Sequence, residues 1–173
     1  MGIPNLITLT RIVLIPIFMF FLLTKWHYGI YVGAAIFTLA ALTDSLDGYY
    51  ARKNKQVTKL GMFLDPLADK LMITAVLVSL VELHRVSALV VFIILAREFA
   101  VTGLRAIKAE EGQVIPASKW GKTKTFTQIV AIIMVILAPI FHSALAITVA
   151  NVAMWIAVVV TVISGYDYFK KLL

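Results

Sequence analysis

The chain contains no cysteine. A disulfide framework, a thiolate nucleophile and a thiolate metal site are therefore excluded. Charge is scarce as well: 14% of the 173 residues are Asp, Glu, Lys or Arg, where a soluble domain carries roughly 25%. Acidic residues number nine against 16 Lys and Arg, which sets the net charge at +7. What remains is apolar, with 61% hydrophobic residues and a mean hydropathy of +0.96. These shortages exclude an ordinary soluble domain and a disordered chain. A soluble core cannot hide so many apolar residues in so few layers, so lipid must be the solvent for most of the surface. In that setting the basic excess points first to anionic lipid or anionic substrates. Nucleic acid is not expected as a partner, because the basic residues gather at the ends of apolar runs and not along one soluble face.

The apolar runs are Ile12–Leu23, Ile30–Leu42, Leu71–Val81, Val86–Ala96, Ile129–Phe141 and Ala144–Ser164. A spanning helix needs about 20 residues, and only the last run reaches that length alone. The others must draw their charged flanks into the helices. The expected fold is therefore all-α: one membrane domain, residues 1–173, with six transmembrane helices whose inner ends are polar. Residues Met1–Thr10, with Pro4 near a helix start, are expected to form a short amino-terminal interfacial helix. No cleavable leader is expected, since no basic stretch precedes the first apolar run. Arg52, Lys53, Lys55 and Lys59 lie between runs two and three, Lys108, Lys119, Lys122 and Lys124 between runs four and five, and Lys170 and Lys171 close the chain. The opposite turns carry little charge. The positive-inside rule then puts both termini in the cytoplasm and every helix-embedded ionisable cluster on the cytoplasmic side. Polar groups inside a membrane helix face the bundle interior or a wet cavity, so one cytoplasm-facing polar cavity is expected.

The central stretch pairs Asp44 with Asp47, and Asp65 with Asp69, at spacings of three and four. Each pair shares one helical face. Four carboxylates in one small volume repel strongly at low dielectric and coexist only if protonated or neutralised by cations. Oxygen donors of this kind favour hard ions such as Mg²⁺ or Mn²⁺, and two ions sharing four carboxylates suit displacement at phosphorus. Gly48, Gly61 and Ala51 leave room for a ligand against the backbone. Two other readings stand beside this one: carboxylates merely solvated or paired with local lysines, and a carboxylate-based ion transporter. Transport predicts polar residues continuing through both halves of the membrane, whereas the outer halves of runs three to six are almost purely apolar.

Asp44-x2-Asp47-Gly48-x2-Ala51-Arg52-x8-Gly61-x3-Asp65-x3-Asp69 resembles the signature of the CDP-alcohol phosphotransferases, with every fixed position met. Pro4-Asn5, Thr8 and Arg11 are similar to that family's amino-terminal element. Arg97-Glu98-Phe99, Thr102-Gly103-Leu104-Arg105, Gly121-Lys122-x-Lys124-Thr125 and Gln128 resemble its phosphatidylglycerophosphate-forming branch. The resemblance covers most of the chain and agrees with six spans. It implies transfer of a phosphatidyl group from CDP-diacylglycerol to sn-glycerol 3-phosphate with release of CMP, two divalent cations as cofactors, and a homodimer. It implies that Asp44, Asp47 and Asp65 bind metal, and that Asp69 both touches the second ion and takes the acceptor's proton. Gly48, Ala51, Arg52 and Gly61 would frame the cytidine diphosphate. Asn5 and Thr8 would contact a substrate phosphate or cap a helix.

The motif does not choose the alcohol; inositol phosphate and phosphatidylglycerol stay open as acceptors. A dianionic phosphate needs extra cations. Arg97 and Arg105 lie eight residues apart, about two turns on one helical face, where they would act as a pair, and arginine grips phosphate with two hydrogen bonds. With Lys122 and Lys124 they are the expected glycerol 3-phosphate ligands; anchoring to anionic lipid is the other role open to the lysines and the expected one for Lys119. Pairing of Arg97 with adjacent Glu98 is disfavoured, since helical neighbours do not face each other. Trp26, Tyr28 and Tyr31 suit an outer aromatic belt, and Trp120 with Tyr166–Tyr168 an inner one. His27, His84 and His142 fall in outer turns, too scattered to hold a metal. Pro139 is expected to kink run five near its outer end.

Overall fold

A computed structural model of the chain describes residues 3–24, 26, 28–53, 59–112 and 119–170; of 3–7, 44–53, 59–63, 65 and 119 it describes the backbone only. Among the described residues there are six α-helices and no strand: α1 Ile3–Leu23, α2 Gly29–Lys53, α3 Lys59–Glu82, α4 Ala88–Glu110, α5 Lys119–Leu137 and α6 Ala144–Lys170. Each helix reaches past its apolar run into charged sequence, α6 as far as Asp167 and Lys170, so the polar flanks are helical as expected. The separate interfacial helix is not observed. Residues Ile3–Thr10 are the first turns of α1, because Pro4 falls in the opening turn where no N–H is missed and no glycine or proline follows until Pro16.

The helices form two compact units, Met1–Leu83 and His84–Leu173. In the first, α1 packs against α2 and α3. The buried positions of α1 are Thr8, Arg11, Ile15, Phe18 and Leu22, spaced three and four apart, which is the stripe of a helix that buries one face. Phe18 meets Phe37 of α2 edge to face, with centroids 6.2 Å apart. Gly33 lets α2 approach α1 closely: a Cβ there would lie 3.2 Å from that of Leu22. The α3 stripe runs through Ala68, Met72, Val76 and Leu80.

In the second unit α6 packs against both α4 and α5. Its buried positions are Ala150, Met154, Ala157, Val158, Thr161, Ser164, Gly165 and Tyr168, again at intervals of three and four. The opposite face exposes Leu145, Val152, Trp155, Ile156, Val159 and Val162. Such a continuous apolar face suits hydrocarbon and is far from the scattered apolar surface of a soluble monomer. Among the described residues two helical segments, Trp120–Phe141 and Ala144–Lys170, are long and apolar enough to cross a bilayer; the apolar stretches Thr8–Leu23 and Gly29–Thr43 are shorter.

Pro139 does not bend α5 but ends it. It has no N–H to continue the ladder, and the chain tightens into a 3₁₀ turn over Ala138–Phe141. Arg85, in the turn before α4, donates from Nη1 to the Ile136 carbonyl at 3.2 Å. A cation at a helix C-terminus is favourably placed. Burial pushes the Arg85 pKa down, but a guanidinium starts so high that it stays charged. His84 and His142 adopt left-handed backbone, φ 55° and 46°, which suits turns that close α3 and the 3₁₀ segment. His27 lies outside the described residues.

Candidate active site

The packed stripes become polar at one end of each unit. In the first unit the amino-terminal turns of α1 carry Thr8 and Arg11 on the face that is apolar further along. Arg11 is almost fully buried, and a buried guanidinium demands an anion. The α3 stripe supplies it: Asp69, one turn before Met72, accepts from Arg11 Nη1 at 2.8 Å. The two residues stand 58 apart in sequence. Asp69 is thus aimed by a rigid, buried donor.

Asp44 and Asp47 fall on α2, and Asp65 and Asp69 on α3. The helical backbone lays each pair on one face, at the spacings read from the sequence. The side chains of Asp44, Asp47, Gly48, Ala51, Arg52, Gly61 and Asp65, and that of Asn5, lie outside the described residues. The donor set fits hard divalent cations: it is all carboxylate oxygen, borne on two helices that share α1 as packing partner, with its fourth member oriented by Arg11.

The second unit gathers a buried polar cluster. Lys124 and Gln128 continue the stripe of α5 that is apolar at Ala131, Ile132, Val135 and Ile136. Gln128 Nε2 donates to Thr161 Oγ1 at 3.2 Å, and Thr161 in turn to the Ala157 carbonyl at 2.6 Å. Lys124 is 5% exposed and its Nζ donates to Glu98 Oε1. The same carboxyl oxygen accepts from Arg97 Nη1 at 3.4 Å. The helical-neighbour argument against that pair fails here because it concerns Cβ directions, and two long side chains curl back to meet beside a shared third partner. Arg97 Nη2 donates to Ser164 Oγ at 2.6 Å, and its guanidinium lies 5.6 Å from the centre of the Tyr168 ring.

Arg97 and Arg105 do not form a matched pair. At about 100° per residue, eight residues overshoot two turns by about 80°, so the Arg97 side chain is mostly buried while Arg105 and Lys122 are exposed. Thr8 is buried. Of the residues expected in the aromatic belts, Trp26, Tyr28, Tyr31, Trp120 and Tyr166 are exposed, but Tyr168 is buried against Arg97, since it follows Ser164 by one turn on the packed face. The role of Glu98 was legible in principle, as a lone acid inside an apolar helix requires a cation. The small pair Ser164-Gly165, breaking a run of branched residues, marked a close approach.

The sequence profile of the CDP-alcohol phosphatidyltransferase family matches residues 1–163, and the chain belongs to that family. It is 44% identical to the CDP-diacylglycerol–glycerol-3-phosphate 3-phosphatidyltransferase of Bacillus subtilis (strain 168), over 98% of this chain and 94% of that protein. The protein of that name from Rickettsia bellii is 38% identical over 98% of this chain and 94% of its own length. A probable phosphatidylglycerophosphate synthase of Mycobacterium tuberculosis is 40% identical over 99% of this chain and 82% of its own.

Proposed function

We propose that this chain transfers the phosphatidyl group of CDP-diacylglycerol to the primary hydroxyl of sn-glycerol 3-phosphate, giving phosphatidylglycerol phosphate and CMP. The observation that carries this reading is near-full-length similarity to relatives named for that reaction, with the aspartate signature intact on two helices. The six helices cross the cytoplasmic membrane as one domain. Both termini and the reacting groups face the cytoplasm, in keeping with the basic inner segments, and two copies associate as a homodimer.

The acceptor hydroxyl attacks the phosphorus that bears diacylglycerol. An O–P bond forms, the diphosphate P–O bond breaks, and CMP departs. Asp69 accepts the hydroxyl proton, since a free alcohol is a weak nucleophile; Arg11 holds its carboxylate in place. Divalent cations held by Asp44, Asp47, Asp65 and Asp69 would supply Lewis-acid stabilisation of the diphosphate and its leaving group. Gly48, Ala51 and Gly61 keep the helix surfaces low where the nucleotide lies, and Arg52, Asn5 and Thr8 contact its phosphates. Arg97, Arg105, Lys122 and Lys124 recognise the acceptor's phosphate. Positioning and electrostatics supply most of the rate gain.

Purified protein in lipid with Mg²⁺ or Mn²⁺ should release CMP from CDP-diacylglycerol when glycerol 3-phosphate is added, and much less with inositol phosphate or phosphatidylglycerol. Folded protein that releases none with glycerol 3-phosphate overturns the reading. Arg105→Ala should raise the KM for glycerol 3-phosphate roughly tenfold, the scale of one hydrogen bond to a charged group, and leave the KM for CDP-diacylglycerol near its starting value. An unchanged acceptor KM places the phosphate elsewhere. Arg11→Met should lower kcat about 10- to 100-fold by releasing Asp69 from its donor. Steady-state rates at saturating substrates measure this, and an unaltered kcat removes Arg11 from the positioning of Asp69.

A further inference from the structure

The inner end of α6 has no part in the aspartate signature and lies beyond residue 163, where the family match stops. Yet Ser164 is fully buried, Tyr168 is 5% exposed, and Gly165 lies on the same packed face. All three converge on Arg97. Ser164 Oγ accepts from Nη2 at 2.6 Å. The Tyr168 ring stands 5.6 Å from the guanidinium carbon, within the reach of a cation–π contact. Gly165 makes room for the stem: a Cβ there would fall 3.0 Å from Arg97 Cγ. One small residue, one hydroxyl and one ring, all within a single turn of helix, thus fix the position, the plane and one edge of a mostly buried guanidinium.

We infer that Ser164, Gly165 and Tyr168 form a positioning cradle that presents Arg97 to the phosphate monoester of the acceptor and so sets acceptor recognition. The inference rests on the proposed reaction with glycerol 3-phosphate. A further observation points to an anion. Arginine has five N–H donors; those of Arg97 reach only Glu98 and Ser164 among the described residues, and its buried Nε has no partner there. The unused N–H groups of Nη1 and Nη2 suit a phosphate oxygen. A neutral polyol could accept from them but would leave the guanidinium charge without a counter-charge, so the arrangement favours a phosphomonoester.

The test uses the full chain in lipid nanodiscs with Mg²⁺, and the variants Gly165→Ala, Ser164→Ala, Tyr168→Leu and Tyr168→Phe. The first three should raise the KM for glycerol 3-phosphate about tenfold, with the KM for CDP-diacylglycerol within about twofold. Tyr168→Phe, which keeps the ring, should raise the KM for glycerol 3-phosphate less than Tyr168→Leu does. Inorganic phosphate should raise the thermal stability of the wild type and lose most of that effect in the first three variants. An unchanged acceptor KM in folded variants overturns the cradle, as does an equal rise in both KM values, which marks a merely structural role. If the wild type makes no CMP, the reaction fails as a reading, and phosphate binding still judges the cradle: equal stabilisation of wild type and variants, or none in any of them, rejects it.

Discussion

Asp69→Asn is expected to lower kcat for CMP release by about 10²–10⁴-fold, the contribution of a positioned proton acceptor, while the Kd for CDP-diacylglycerol changes by no more than about threefold. The substitution keeps the shape of the side chain and an oxygen that can accept from Arg11, so the donor at 2.8 Å retains a partner. What it removes is the negative charge and the capacity to take a proton. The expected split between turnover and binding separates this role from a purely structural one, since loss of packing would depress both. Single-turnover rates and equilibrium binding of CDP-diacylglycerol, on protein shown to be folded, measure the two quantities. Turnover equal to wild type would remove Asp69 as the base and would leave the Arg11 pair as a structural clasp between α1 and α3.

Removal of divalent cations with a chelator is expected to cut CMP release about 10³-fold, on the view that Lewis-acid stabilisation is worth several kcal/mol. Addition of Mg²⁺ or Mn²⁺ should restore it. Asp47→Ala should reproduce the chelated rate and resist rescue, because the donor set on α2 and α3 would be incomplete. Full activity after exhaustive chelation would overturn the assignment of Asp44, Asp47, Asp65 and Asp69 as ligands. The four acids would then need another source of compensation for their mutual repulsion.

Much of this molecule was legible before any coordinates. The charge shortage and the apolar runs required helices in lipid, and the helices do extend into the charged flanks. Spacing alone placed Asp44 and Asp47 on one helix and Asp65 and Asp69 on the next. The separate amino-terminal helix was misread because an interfacial segment and the first turns of a longer helix have the same local composition. The matched Arg97–Arg105 pair was misread because eight residues are not a whole number of turns. Tyr166 and Tyr168 look alike in sequence, but two residues of helix send one to the exposed face and the other into the cluster around Arg97.

Helix periodicity is a local property, so the chain by itself determined its all-helical class, its apolar solvent and which face each residue occupies. Which face meets which is not local. Only the packing of α1 on α3 brings Arg11 to Asp69, and only the packing of α6 with α4 and α5 gathers Ser164, Gly165 and Tyr168 around the ion cluster. The physical reason is that a buried charge is satisfied through space. The partner that neutralises it can lie many turns away along the chain, where no spacing rule reaches.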